Sequence, residues 1–339
     1  MRIENNFTLE NNNTFRLAAK ARWFMEYDNE EELNRILRDE YFQECRSIHI
    51  GGGSNLLFVR DFDGIVVHSR IKGMEISEDR TDTVLLRIGA AEIWDNVVAF
   101  AVGKGWGGIE NLSYIPGETG AAAVQNIGAY GAEIKDAVDS VETYNKLTLE
   151  KKTFSADECK YSYRNSVFKE GGGDLFIVTH VNLRLQKTPS FRLDYGNLRE
   201  ALGHGSATPT LQAVRDAVIS VRRSKLPDPD ELGSAGSFFM NPIVSNEQFE
   251  QLKKACPSIP SYPAPASGGV KLPAGWLIEQ CGYKGGKSGR VGVYDKQALV
   301  IVNLGGATGD EIATFADEIV DAVYRKFGIA LCPEVRIIE

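Results

Sequence analysis

A chain of 339 residues has room for two or three domains, and its balance of apolar and charged residues is that of an ordinary globular protein. A net charge of −8 excludes a surface built to coat nucleic acid, although a local basic pocket for a phosphorylated ligand stays possible. Five scattered cysteines, Cys45, Cys159, Cys256, Cys281 and Cys332, form no C-x-x-C pair, which argues against a disulfide framework or a zinc site and for a reducing compartment. The polar start MRIENNFTLENNNTF lacks the apolar centre of a signal peptide, and no apolar run nears the ~20 residues of a membrane span. A cytoplasmic protein without a membrane or nucleic-acid partner is expected.

In chain order, the pattern predicts a short helix over 31–38 after an acidic start, then a strand over 47–50 that runs into a triple glycine. A strand over 84–89 and a helix over 91–102 follow, the helix stopped by Gly103 and Gly105. Strands are expected over 138–144 and 175–185. Leu211, Val214, Val218 and Val221 recur at helical spacing until Lys225-Leu226-Pro227-Asp228-Pro229 breaks the pattern. Beyond that break lie helices over 246–254 and 273–281, a Pro/Gly/Ser-rich loop over 256–269 and a strand over 298–303. The clearest helix carries Ile312, Phe315, Ala316, Ile319, Val320, Val323, Tyr324 and Phe327 on one face. A strand over 335–338 closes the chain. Without a regular βαβ repeat, the reading is α+β, with the break at 225–229 as the boundary of the last domain.

The most informative stretch is 111–131, NLSYIPGETGAAAVQNIGAYG. It holds four glycines, three consecutive alanines and one charged side chain, Glu118. Such a run is not an ordinary amphipathic helix or strand. It offers bare backbone N–H groups, which suit a pyrophosphate at turns and helix starts. A tight structural loop is the alternative, but a second loop of the same kind, Gly51-Gly52-Gly53-Ser54-Asn55, favours a ligand. No G-x-G-x-x-G follows a strand, no G-x-S-x-G occurs, and Gly286-Lys287-Ser288 has the wrong spacing for a phosphate loop. His49, His68, His180 and His204 never fall at metal-ligand spacing, so no metal is expected and structural or surface roles are favoured.

Three isolated segments could carry chemistry. Ser237, between small residues and Phe238-Phe239, is either a turn serine or a hydroxyl set in a water-poor wall, able to protonate a strongly basic carbon. Arg164, among the aromatics of YSYRNS, is either a surface residue or the partner of an oxyanion. Glu334, after Cys332-Pro333 in an apolar segment, either faces solvent or is desolvated and raised in pKa. Lys225, Tyr195, Tyr262, Lys271 and Lys284 are candidate phosphate or sugar contacts.

Seven segments in order, GGGSNLL (51–57), IPGETGAAAVQNIGAYG (115–131), YRNSVFK (163–169), SKLPDP (224–229), AGSFFMNP (235–242), AGWLIEQCG (274–282) and PEVR (333–336), resemble the UDP-N-acetylenolpyruvoylglucosamine reductases across nearly the whole chain. The loops around Tyr195 and Tyr262 look like those of the class that carries a tyrosine over the substrate. The resemblance implies a two-subdomain FAD-binding fold of the vanillyl-alcohol-oxidase (PCMH) kind, here 1–70 and 71–226, and a C-terminal α+β substrate domain, with a final strand bearing Glu334. It implies non-covalent FAD, held by Gly51, Gly52, Gly53, Ser54 and Asn55 of the first loop. The second loop adds Ile115, Pro116, Gly117, Thr119, Gly120, Gln125, Asn126, Gly128, Ala129 and Tyr130, and Arg164 completes the set. NADPH would give hydride to the flavin and leave. The enolpyruvyl ether of UDP-N-acetylglucosamine would then accept hydride at carbon 3 and a proton at carbon 2. In the family pattern Ser237 is that proton donor, and Arg164 and Glu334 stabilise the enolate-like charge. Lys225 and Asn241 match positions near phosphates, and Tyr163, Tyr195, Tyr262, Lys271 and Gln297 match the substrate site. A flavin oxidase of the same fold, or a silent nucleotide-sugar-binding module, is the competing reading. The histidine or cysteine that tethers flavin in many such oxidases is missing from both glycine-rich loops. Ala121 and Ala122 stand where hydroxyl residues are common, and Met240 where lysine is common. Met240→Lys is therefore expected to change the Michaelis constants without changing the chemistry. A monomer is expected.

Overall fold

The computed structural model describes residues 1–195, 197–203, 209–229, 231–264 and 268–339. His204 and part of the 256–269 loop lie outside the described residues. The chain divides into two compact units, one of residues 1–7, 21–53 and 63–224, the other of 8–20, 54–62 and 225–339. Both mix strands and helices in an α+β arrangement.

In the first unit, a four-stranded sheet runs in the order Arg2–Thr8, Lys20–Tyr27, Phe62–Ser69, Ser47–Ile50, the last two being parallel. The helix Glu30–Arg38 starts where the Asn29 side chain accepts from the Glu32 N–H. Glutamates fill its first turn and Arg35 and Arg38 its last, matching the helix dipole. It buries Leu33, Ile36 and Leu37 against Met25, Tyr27, Ile65 and Val67. A five-stranded antiparallel sheet follows, ordered Lys151–Ser155, Val138–Asn145, Phe176–Gln186, Thr83–Gly89, Met74–Asp79. Its core holds Leu86, Ile88, Val181 and Leu183 together with Trp94, Val97, Val98 and Ala101 of the helix Trp94–Gly103. That helix begins later than the sequence predicts because the backbone is still extended at Ile93, φ −62° and ψ 122°.

The glycine-rich stretch, expected to present N–H groups at turns and helix starts, is not all loop. It contains a helix, Thr119–Gln125. Three alanines are strong helix formers, and small side chains let the helix sink into the core. Ala122 and Ala123 are buried, and a Cβ on Gly120 would stand 2.8 Å from Ala90 Cβ. Asn126, at φ 46°, ends it in the left-handed region.

In the second unit, an antiparallel sheet runs in the order Gly233–Ser237, Val300–Asn303, Val291–Val293, Lys287–Ser288. The helix Gly309–Phe327 begins with a capping box between Thr308 and Glu311 and ends at Gly328, φ 65°. Its face of Ile312, Phe315, Ala316, Ile319, Val323 and Phe327 enters a core shared with Phe15, Leu17, Leu57 and Val59. A small antiparallel sheet orders Ile243–Val244, Gly269–Lys271, Tyr262–Ala264, and Leu56–Phe58 pairs in parallel with Arg336–Ile338. All five cysteines are free thiols. Among the described residues no helix is long and apolar enough to cross a membrane.

Candidate functional site

The candidate residues divide between the units. In the first, Gly51, Gly52 and Gly53 leave the strand Ser47–Ile50, and the side-chain-poor backbone at Gly51, Gly52, Pro116, Gly117, Gly128 and Ala129 stays partly or fully exposed. A Cβ on Gly51 would lie 3.0 Å from Ala121 Cβ and one on Gly52 3.6 Å from Gly117 Cα, so the two glycine-rich loops run against each other. Thr119 and Gly120 behave differently from the expectation of a helix start open to a phosphate. Their N–H groups bond to the Glu92 and Ala90 carbonyls, and the Thr119 hydroxyl also bonds to Glu92 O.

The chain bearing Arg164 is fastened to the second loop. Asn126 is fully buried, and its amide nitrogen donates to Ser162 O at 2.7 Å and Glu133 Oε2 at 3.1 Å. Ser162 and Asn165 close a tight turn on themselves, and Arg164 sits in it at φ 54°. The guanidinium stacks 5.2 Å from the Tyr163 ring and donates to Gly128 O at 2.6 Å, beside the short hairpin of Gly128–Ala129 and Ala132–Glu133. A Cβ at Gly128 would stand 2.7 Å from Arg164 Nη1. Gln125 ends the helix Thr119–Gln125, and Tyr130 adopts φ 48°, its carbonyl accepting from Asn111 Nδ2 at 2.8 Å. Tyr195 lies beside Gly131, where a Cβ would come 3.4 Å from Tyr195 Cβ. Tyr114 is pinned from two sides. Its N–H donates to Asp95 Oδ1 at 2.5 Å, and its carbonyl accepts from Arg222 Nε at 2.9 Å.

Arg222 is a residue that the sequence reading missed. Burial pushes its pKa down, and the Arg164 charge pushes it the same way, against Tyr130, Asp95 and Tyr114. A buried guanidinium that also senses a second one is suited to meet an anion. The signal was in the helix Leu211–Lys225. Arg215 and Arg222 stand seven residues apart on the stripe that also carries Leu211 and Val218, where an apolar side chain is the rule. Arg215 is buried against Asp95 in a two-armed pair at 2.7 and 2.8 Å.

In the second unit, Ser237 ends the strand Gly233–Ser237. Ser234 faces Val302 and Ser237 faces Val300, so one extra residue bulges out between them, with Gly236 at φ 70°. Bulges of this kind re-aim a side chain. Phe238 and Phe239 are fully buried behind it. The Glu334 N–H donates to Phe238 O at 2.8 Å, and Phe239 bridges Pro333, so the segments of Ser237 and Glu334 run side by side. Asn55, which follows Ser54, ties to the same place. Its Nδ2 donates to Glu334 O at 3.0 Å and its carbonyl accepts from Arg336 N at 3.0 Å. Tyr262 and Lys271 are register partners in the small sheet, with Ile243 opposite Lys271 on its other side. Asn241 Oδ1 accepts from Ala274 N at 2.9 Å, at the head of the helix Ala274–Gln280. Gln297 Oε1 would lie 3.1 Å from a Cβ on Gly275 of that helix. Lys225 is the exposed last residue of the helix Leu211–Lys225.

The histidines gain roles that spacing does not reveal. His49 is driven down to about 3 by burial, with the His68 and Lys146 charges adding to it, and it bonds to the Tyr27 hydroxyl at 2.8 Å. His180 joins Glu30 and Glu142 in a group whose ligand atoms lie within 4.8 Å of one another, from three separate elements. Arg87 already grips Glu142 with two bonds, and Lys151 pairs with Glu30. Two cations on two carboxylates make this a structural ion-pair network.

The exposed glycine backbone, the paired loops and the two arginines fit a large anionic cofactor such as FAD. Comparison with known proteins agrees. The family described as the C-terminal domain of UDP-N-acetylenolpyruvoylglucosamine reductase matches residues 228–338, and an FAD binding domain family matches residues 21–147. A UDP-N-acetylenolpyruvoylglucosamine reductase of Porphyromonas gingivalis is 51% identical over 339 residues, covering 100% of both chains. One of Bacteroides fragilis is 45% identical over 336 residues, covering 99% of this chain and 100% of the relative. The crystal structure of the reductase from Thermus caldophilus, 23% identical and covering 100% of both chains, superposes with a TM-score of 0.71, which shows a shared fold. By these full-length matches the chain belongs to the UDP-N-acetylenolpyruvoylglucosamine reductase family and is an FAD-dependent oxidoreductase.

Proposed function

We propose that the protein reduces the enolpyruvyl ether of UDP-N-acetylglucosamine to UDP-N-acetylmuramate with NADPH, as a cytoplasmic monomer of the class with tyrosine-bearing substrate loops. We assign FAD to subdomains 1–70 and 71–226 and substrate to 227–330, with Glu334 on the final segment, 331–339. The observation that carries the proposal is the bulge between Ser234 and Ser237, which resets the register at Ser237 beside the segment of Glu334.

When bound, FAD would supply the hydride chemistry between NADPH and carbon 3 of the enolpyruvyl group. Hydride addition at carbon 3 builds negative charge at carbon 2 and its carboxylate. Arg164, held by Gly128 O, is the fixed positive charge for that carboxylate. Ser237 gives its hydroxyl proton to carbon 2. An alcohol is an adequate acid there because the carbanionic carbon is a far stronger base than water. Glu334 serves as a proton-bearing partner to the same charge. Lys225 and Asn241 take phosphates, and Tyr163, Tyr195, Tyr262, Lys271 and Gln297 the nucleotide sugar. Phe238 and Phe239, buried next to Ser237 in the chain, give that hydroxyl an apolar flank.

The test is anaerobic and spectroscopic. The purified protein is bleached with NADPH, and the enolpyruvyl substrate is then added. A flavin band that returns on substrate addition supports the proposal. A band that returns only with oxygen identifies an oxidase, and nucleotide-sugar binding without bleaching identifies a silent module.

A further inference from the structure

His68, on the strand Phe62–Ser69, belongs to none of the segments given a role above. Its ring is largely buried and meets a carboxylate at each nitrogen. Nδ1 lies 3.0 Å from Glu26 Oε1, and Nε2 lies 2.9 Å from Glu118 Oε1. A neutral imidazole has one donor and one acceptor and can serve only one of two carboxylates, whereas the imidazolium donates to both. Burial alone would hold the His68 pKa down, but the bonds and charges of Glu118 and Glu26 outweigh it, and the net shift is upward.

The other groups around the ring agree. Glu26 is resisted by burial, yet its bonds from His68 and Arg2 bring its pKa below the usual carboxylate value. Arg70 approaches the same carboxylate at 3.7 Å. His49, bonded to Tyr27, is neutral and adds no competing charge, and the Phe24 ring stacks 6.4 Å away.

Glu118 is the one charged side chain in the glycine-rich stretch 111–131. Its side chain is nearly buried and lies against the first loop. A Cβ on Gly51 would stand 3.3 Å from Glu118 Oε2, and one on Gly52 3.7 Å from Glu118 Cγ. The carboxylate is thus a wedge between two loops that serve an anionic cofactor. Left uncompensated, its charge would repel that cofactor.

We infer that His68 is a positioning residue for FAD: as the imidazolium it fixes the Glu118 wedge between the two glycine-rich loops and cancels its charge, so cofactor affinity follows the protonation of His68. The inference rests on the assignment of FAD to the first unit. The full chain, stripped of flavin, is titrated with FAD from about pH 6 to about pH 9, with quenching of flavin fluorescence as the readout. Wild type is expected to lose about tenfold in affinity across this range, while His68→Gln and Glu118→Gln each stay flat to within about twofold. Combining the two substitutions adds nothing further, since both remove one interaction. A flat wild-type profile, or variants that keep the wild-type fall, overturns the inference and leaves the FAD assignment standing. Failure of the wild type to bind FAD at any pH overturns both. If His68→Gln does not fold, Glu118→Gln decides alone.

Discussion

At Gly128 a single hydrogen atom decides where Arg164 can stand. An alanine there would bring a methyl group 2.7 Å from Arg164 Nη1 and 3.0 Å from Ala132 O, and one of them must yield. Gly128→Ala is expected to slow substrate reduction by about tenfold or more through displacement of the guanidinium, with roughly 1–2 kcal/mol of lost stability from the crowding. Single-turnover kinetics of the substrate half-reaction and urea unfolding measure the two effects separately. Ser237→Ala belongs to the same scale but touches no neighbour's position. It is expected to leave flavin reduction by NADPH intact and to slow substrate reduction by roughly 10²–10⁴. Equal slowing of both half-reactions would remove Ser237 from the role of carbon acid. Ser237, Arg164 and Glu334 were legible as segments, because glycine, aromatic and proline neighbours mark them. What joins Ser237 to Glu334 was not, since a backbone bond from Glu334 N to Phe238 O has no signature in side-chain identity.

At the scale of elements, Asp95 ties two helices and a loop together. It sits in the first turn of the helix Trp94–Gly103, accepts from the Tyr114 N–H and pairs with Arg215 of the helix Leu211–Lys225. Burial acts to raise its pKa, but Arg215 and the Tyr114 N–H outweigh it and the net shift is downward. Asp95→Ala leaves a buried arginine without its partner and releases Tyr114 from one anchor, so a loss of about 2–3 kcal/mol is expected in denaturant unfolding. An Asp95→Ala variant as stable as the wild type would mean that the pair contributes nothing beyond its own desolvation. Elements with a clear apolar period, such as the helix Gly309–Phe327, were legible because a single buried face dictates them. The helix Thr119–Gln125 was not. Its residues are so small that burial leaves no pattern, and only the approach of Gly120 to Ala90 makes it a helix with a place in the core.

For the molecule as a whole, two histidines oppose each other in pH. The unfolded chain binds a proton at His49 below its ordinary value of 6.5, whereas the folded chain does not until about 3. The unfolded state therefore takes up more protons between these values, and stability falls as the pH drops through that window, by up to about 4 kcal/mol. His68 is shifted the other way. Its contribution is complete below 6.5 and is lost as the pH rises through its higher folded value. His49→Gln is expected to flatten the acid limb of a stability profile from urea melts and to leave the alkaline limb unchanged. An acid limb identical to wild type would assign the loss to carboxylates such as Asp95. The division of the molecule was itself only partly legible, because nothing in 8–20 or 54–62 announces the company these segments keep. The chain passes from one unit to the other after residues 7, 20, 53, 62 and 224. Phe15, Leu17, Leu57 and Val59 are made early on the ribosome, yet the core that buries them includes Phe238, Leu277, Ile312 and Ile319. During synthesis those four side chains must wait for most of the chain to emerge, exposed and open to chaperones. A gene fragment that starts at residue 225 would be born without them.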